Sequence, residues 1–181
     1  MTLTQRLSTV RNWRANLVGE LTGDILEVGV GTGPNLAHYR SASQLWAIEP
    51  GLERAKLASQ VGVAEGLDMV VQVALAESLP HADNSFDHVV SSLVFCSVTD
   101  QRLALAEIRR VLKPNGTLHM VEHIRPQGRL AAFLASAATP GWRRIAKNCH
   151  LNRPTIEQLH EGGWTVRVHG RLGVFVRISA T

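Results

Sequence analysis

Cysteine is scarce in this chain of 181 residues: only Cys96 and Cys149 are present. Their spacing fits neither a zinc site nor a disulfide framework, so no metal is expected and a reducing compartment, the cytoplasm, is. No stretch approaches the ~20 apolar residues that cross a bilayer. Residues 1–20 carry Arg6, Arg11 and Arg14 without a continuous apolar core and do not read as a secretory signal. Aromatics make up 5 %. That is too few for the basic, aromatic-interleaved stripe that holds single-stranded nucleic acid, which is not an expected partner. Acids are scarce in one region only. Residues 102–147 hold nine bases and two acids, whereas residues 15–100 hold eleven acids and three bases. The basic stretch reads as solvated helix faces or as a surface for anionic lipid, an acidic substrate or nucleic acid. The length suits one domain, and 45 % hydrophobic with 19 % charged residues is an ordinary globular balance.

Against these absences stands one dense motif. The apolar run Ile25-Leu26 meets a carboxylate, Glu27, and then Gly29, Gly31 and Gly33 follow at alternate positions. Sixteen residues after the last glycine, Leu45-Trp46-Ala47-Ile48 ends in a second carboxylate, Glu49. This spacing predicts strand, glycine turn, helix and strand. The turn lets a ligand approach the backbone, and Glu49 suits the two hydroxyls of a ribose. The dinucleotide pattern G-x-G-x-x-G does not fit, because the third glycine falls one residue early. Glu27 would repel a pyrophosphate and attract a cationic group. A nucleoside cofactor bearing an ammonium and a sulfonium, S-adenosylmethionine, is therefore expected in preference to NAD.

Apolar runs and helical patterns alternate along the chain. Strands are expected at residues 25–30, 44–48, 69–74, 88–95 and 117–121. Helices are expected near 35–39 and over 52–60 and 101–112, the last capped by Thr99 or Asp100 and stopped at Pro114-Asn115-Gly116. A small apolar segment over 130–138 is set off from 142–147 by Thr139-Pro140-Gly141. Pro154 opens a helix to Glu161, and two strands, 164–169 and 173–178, lie around Gly170-Arg171. The expected fold class is α/β: a Rossmann-like, doubly wound, mostly parallel sheet with an antiparallel C-terminal strand pair, in a three-layer sandwich.

Five motifs in order carry a family resemblance: residues 27–33, Ile48-Glu49-Pro50, residues 76–80, residues 83–90 and residues 107–116. Across roughly 24–122 the chain resembles class I S-adenosylmethionine-dependent methyltransferases. Residues 93–98, Glu122-His123 and residues 149–153 are similar to the small methyltransferase-like thiol S-methyltransferases. The glycine motif is also similar to bacterial phosphatidylethanolamine N-methyltransferases. The resemblance implies one methyltransferase domain over 1–181. It comprises an N-terminal helical segment (1–23), a cofactor-binding core (24–122), a substrate-side cap (123–163) and C-terminal strands (164–181). It places Gly29, Gly31 and Gly33 under the cofactor, Glu27 near its aminoacyl end and Glu49 on the ribose. Pro50, with Gly51, and then Ala76 and Glu77 border the adenine, and Ser92 and Leu93 face the methionine moiety. Many members have an aspartate where Leu75 stands, so a bond to the adenine amino group is expected to be missing here. The segment before Asp24 is short beside members whose longer helices close over the cofactor.

The acceptor implied is a small molecule, with a thiol or another small apolar nucleophile favoured over a phospholipid amine or a quinone. A non-catalytic cofactor-binding module and an NAD-dependent oxidoreductase are the readings of other classes. Candidates on the substrate side are Cys96, Asp100, His123, Asn148, Cys149 and His150, with His123 first as the catalytic residue. Asp100 is also a plain helix cap, and Cys96 a plain buried hydrophobe. Residues 130–135 followed by Trp142-Arg143-Arg144 form either a cap over an apolar substrate or a core helix. The arginines also admit peripheral membrane contact.

Overall fold

The computed structural model describes residues 12–181 except Lys147, with Ala42 and Ser43 as backbone only. The expected N-terminal helical segment therefore lies partly outside the described residues; its described part is α1, residues 12–18. Seven strands form one sheet: β1 (Thr22–Val28), β2 (Ser41–Ile48), β3 (Met69–Gln72), β4 (Phe86–Ser92), β5 (Leu112–His123), β6 (Val166–Leu172) and β7 (Phe175–Ala180). Their order is β3-β2-β1-β4-β5-β7-β6. The pairs among β1 to β5 are parallel, and β7 runs antiparallel between β5 and β6. Ile25, Leu26 and Val28 on β1, and Val89 and Val90 on β4, are all buried. A central parallel strand is covered on both faces and so reads as an unbroken apolar run.

Helices cover the two faces. On one, Leu17 and Val18 of α1, Leu36 and Ala58 pack with Ile25, Val30 and Val90. Ala58 belongs to α2 (Leu52–Ala64), which shows the sheet a face of Ala55, Ala58 and Gly62. A Cβ on Gly62 would lie 2.0 Å from Met69 Sδ, so glycine lets α2 sit close upon β3. On the other face, α3 (Gln101–Val111) buries Ala104, Leu105, Ile108 and Val111, and α5 (Thr155–Glu161) adds Leu159. Asp100 is the α3 cap, its carboxylate accepting from the amides of Arg102 and Leu103.

Several boundaries differ from the sequence reading, each for a local reason. β1 starts earlier than residue 25 and ends at Val28, because Gly29 turns the chain at φ +69°. Around 35–39 there is one 3-10 turn, Leu36–His38. β4 stops at Ser92, before Leu93 at φ +60°. Pro114-Asn115-Gly116 does not lie outside the sheet. It fills a bulge in β5, where the register jumps from Phe86–Leu112 to His88–Thr117, and a bulge tolerates the missing proline N–H. Thr139-Pro140-Gly141 does not break the next helix: α4 runs unbroken over Arg129–Ile145. There the Thr139 hydroxyl donates to the Ala135 carbonyl at 2.7 Å, one residue from the hydrogen bond that Pro140 cannot make. The β6–β7 turn is at Gly173 (φ +60°), while Gly170 adjoins a register shift within β6.

Candidate active site

The carboxyl ends of β1, β2, β4 and β5 open into one cleft of about 620 Å³, within the range of small-molecule sites. The glycine turn forms its floor. The amides of Gly29 and Val30 donate to Ile48 O at 2.8 and 3.0 Å, which ties the turn to the end of β2. A Cβ at Gly29 would press to 2.6 Å from Val94, whereas one at Gly31 would meet no atom within 4 Å. Gly29 is thus fixed by packing, and Gly31 presents bare backbone to the cleft. Gly33 does not line the cleft; a Cβ there would strike Leu36 at 2.7 Å, so its work is to seat the turn on its own helical residues.

Glu49 closes the β2 side. It is 3 % exposed. One oxygen accepts from the Gly31 amide at 3.2 Å and the other from the Gly51 amide at 3.0 Å. Arg54, from the first turn and a half of α2, lies 2.5 Å from the second oxygen. Pro50, Ala76 and Leu75 continue this wall. Glu77 also lines the cleft, but one carboxylate oxygen accepts the amides of Thr99 and Asp100 at 2.9 and 3.1 Å and so pins the start of α3.

Glu27 is not among the cleft-lining residues. Its buried carboxylate accepts from Asn35 Nδ2 and Tyr39 OH, both at 2.8 Å. Burial raises its pKa to about 7 against these hydrogen bonds. Through Asn35 and Tyr39 it fastens the chain after the glycine turn. The neighbouring Arg14, from α1, does line the cleft, and its Nε is buried with no partner among the described residues.

The β4 side carries Ser92 and Leu93. Ser92 Oγ is buried without a partner among the described residues, on the cleft wall. Beyond Leu93 the chain is gripped by Glu122 at the end of β5. One carboxylate oxygen accepts from Ser91 Oγ at 2.9 Å and from the Val94 amide at 3.0 Å, and burial raises the Glu122 pKa to about 7. Glu122 therefore tethers a loop and does not reach the cleft.

His123 follows on β5 and lines the cleft, as do Cys96, Val98, Trp142, Cys149 and Phe175. Its ring meets the edge of Phe175 at a centroid distance of 5.6 Å. Burial lowers its pKa, so the imidazole is neutral near pH 7, and its Nδ1 has no partner among the described residues. Asn148 and His150 do not line the cleft. Asn148 donates to Ser97 O at 3.0 Å, and the His150 amide donates to Cys96 O at 2.7 Å. Of α4, only Trp142 reaches in; Leu130, Phe133 and Leu134 are exposed, so that segment is neither a core helix nor a closed cap. Arg54 and Arg14 escaped the sequence reading. The one signal was Arg54 five residues past Glu49, at the start of a helix.

With this geometry in place, comparison with known proteins assigns the family. A model described as a methyltransferase domain matches residues 26–120. The chain belongs to the methyltransferase domain family. The rat thiol S-methyltransferase TMT1B is 35 % identical over 142 residues, 76 % of this chain and 58 % of that protein. A demethylmenaquinone methyltransferase of Renibacterium salmoninarum is 34 % identical over 125 residues, 66 % of this chain and 51 % of that protein. The chain thus spans a little over half the length of such relatives. Among solved structures, geranyl diphosphate methyltransferase in complex with S-adenosylmethionine superposes with TM-score 0.73 at 14 % identity, over 98 % of this chain and 85 % of that one. The fold is the Rossmann-like methyltransferase fold, and the cofactor expected from the sequence is S-adenosylmethionine. The residues present fit it: uncovered backbone at Gly31, a buried acid at Glu49 and a hydroxyl at Ser92 unsatisfied among the described residues.

Proposed function

We propose that this methyltransferase domain methylates the sulfur of a small, fairly apolar thiol. The observation that carries this reading is His123: a neutral imidazole against Phe175, with a buried nitrogen unpartnered among the described residues, in a cleft that Val98 and Trp142 also line. A thiol of pKa near 8.5 needs only modest help to ionise, and a neutral imidazole is matched to accept that proton. Apolar walls exclude water and orient a poorly hydrated nucleophile. On the cofactor side, Gly29, Gly31, Glu49, Pro50, Ala76, Glu77, Ser92 and Leu93 would hold S-adenosylmethionine. Glu27 and Gly33 act one layer behind, by shaping the turn. Arg14 adds a cation beside the turn for the carboxylate of the aminoacyl group. When bound, S-adenosylmethionine supplies a methyl group on a sulfonium that leaves as a neutral thioether. The similarity to thiol S-methyltransferase TMT1B supports the acceptor class.

The four-part division of residues 1–181 is kept as a working map: helical segment, cofactor core, substrate side and C-terminal strands. The cytoplasm is the proposed location, with α4 against a membrane surface. Leu130, Phe133, Leu134 and Ile145 are exposed on α4, which also carries Arg129, Arg143 and Arg144. Among the described residues no helix is long and apolar enough to cross a membrane. The exposed face also favours a second acceptor reading, a lipophilic quinone or phospholipid amine presented at the bilayer.

Formation of S-adenosylhomocysteine by the full chain with alkyl thiols, amines and phenolic quinols discriminates these readings. Turnover confined to alkyl thiols is the expected result. Turnover confined to quinols or amines overturns the thiol assignment, and cofactor binding without any product makes the chain a binding module.

A further inference from the structure

Two side chains at the acceptor end are not used by the mechanism above. Cys96 and Cys149 lie 53 positions apart in sequence, yet both thiols are free and both line the same end of the cleft. Their backbones are held together: the His150 amide donates to the Cys96 carbonyl at 2.7 Å, and the His150 ring lies 3.1 Å from the same oxygen. With standard bond lengths and angles this contact keeps the two Cα atoms within about 7.5 Å. That reach overlaps the ~4.4–6.8 Å Cα–Cα span of disulfides. Cys96 is buried, while Cys149 is half-buried. Burial, then the Glu122 carboxylate and the Cys149 thiol, raise the Cys96 pKa, so Cys96 by itself is a poor thiolate.

We propose that Cys96 and Cys149 are a redox pair that closes to an intramolecular disulfide across the acceptor end of the cleft. A peroxide is the oxidant. The Cys149 sulfur attacks one peroxide oxygen, the O–O bond breaks, and water leaves with the sulfur proton, giving a sulfenic acid. The Cys96 sulfur then attacks the Cys149 sulfur, the S–O bond breaks, and a second water leaves with the Cys96 proton. Two thiols and one hydrogen peroxide become one disulfide and two waters. The bridge joins the loop that Glu122 tethers to the segment beyond α4. It narrows the space beside His123 and leaves the glycine turn and Glu49 untouched. A small thiol such as glutathione reverses it by exchange. The link itself does not depend on the acceptor; its effect on turnover rests on the thiol reading.

The test is peptide mapping of the full chain after hydrogen peroxide, without reductant. The expected species joins the Cys96 and Cys149 peptides within one chain, is lighter by two hydrogen atoms than the reduced pair, and disappears with dithiothreitol. Thiol methylation should fall about tenfold or more with the link and return on reduction, while calorimetry gives S-adenosylmethionine affinity within about twofold. Cys149→Ser should form no link, and peroxide should not lower its own starting rate. Over-oxidation of Cys149 alone, or only inter-chain dimers, overturns the proposal, as does a link that leaves turnover unchanged. A reversible link in a protein that methylates no thiol would leave the pair standing and remove the thiol acceptor.

Discussion

Arg54 lies 2.5 Å from the Glu49 carboxylate, at the point where β2 hands over to α2. The acid expected to hold the ribose is therefore already neutralised and already accepts two backbone amides. Glu49 thus braces the glycine turn, besides the ribose contact proposed for it.

Glu49→Ala is expected to weaken S-adenosylmethionine binding by about 1–3 kcal/mol, the cost of losing hydrogen bonds to a charged group. Arg54→Ala should have a smaller effect, since Arg54 is one-third exposed and the pair is screened. Calorimetry on both variants checks the order. Equal affinity in Glu49→Ala and wild type would mean that the carboxylate does not meet the cofactor.

His123→Ala is expected to lower thiol methylation at pH 7 by at least about tenfold, toward the lower end for a general base because a thiol ionises readily. The deficit should shrink as pH rises past the acceptor thiol's own pKa. A deficit constant from pH 6 to 9 would assign His123 to packing.

The two glycines that line the cleft should respond differently. Gly31→Ala meets open space and carries only the penalty of φ +61°, about 1–2 kcal/mol. Gly29→Ala carries a similar penalty and also presses Val94 at 2.6 Å, which adds about 1–3 kcal/mol of overpacking. Thermal melts of both variants check the difference.

Glu122 gives a pH signature. Its folded pKa of about 7 stands above the ordinary 4.5, so the folded protein binds the proton more tightly. The stability this contributes is complete below about pH 4.5 and is lost as pH rises through about 7. Glu122→Gln keeps an oxygen for Ser91 and Val94. It should be the more stable protein at pH 8, by about 1–3 kcal/mol, with the gap closing toward pH 5. A gap of the opposite sign in urea melts at pH 8 would contradict the burial argument.

The α4 face gives a further prediction. Arg143→Glu with Arg144→Glu should weaken binding to anionic vesicles, read by sedimentation, by about thirtyfold or more, at roughly 1 kcal/mol for each of the two basic residues removed near the surface. Equal sedimentation removes the membrane contact.

The parallel core was legible because each central strand carries a short apolar centre, such as Ile25-Leu26 on β1 or Val89-Val90 on β4, between turn residues. The glycine turn and Glu49 were legible because the backbone conformation and the charge both leave marks on the sequence. Where side chains act across the chain, local pattern carried less. Asn35 and Tyr39 claim Glu27, so an acid that reads as a ligand is buried behind the turn. Arg54 and Arg14 reach the cleft only through tertiary packing. Pro140 reads as a stop, yet α4 runs on through it, with the Thr139 hydroxyl bonded to the Ala135 carbonyl beside it. Gly170-Arg171 reads as the turn and Gly173 as the start of a strand, but it is Gly173 that takes the positive φ and turns the chain from β6 to β7.

The position of β7 has a consequence for synthesis on the ribosome. Strands β1 to β5 are complete at His123, but the free edge of β5 stays bare until Phe175–Ala180 arrive to pair with it. At ~5–20 residues per second that edge waits for roughly 3–10 s. Throughout that time the cofactor half can already be shaped, while the strand bearing His123 has no partner on one side and the wall at Phe175 does not yet exist. The interval in which this chain is most exposed to edge-to-edge association is thus also the interval before its acceptor end can form.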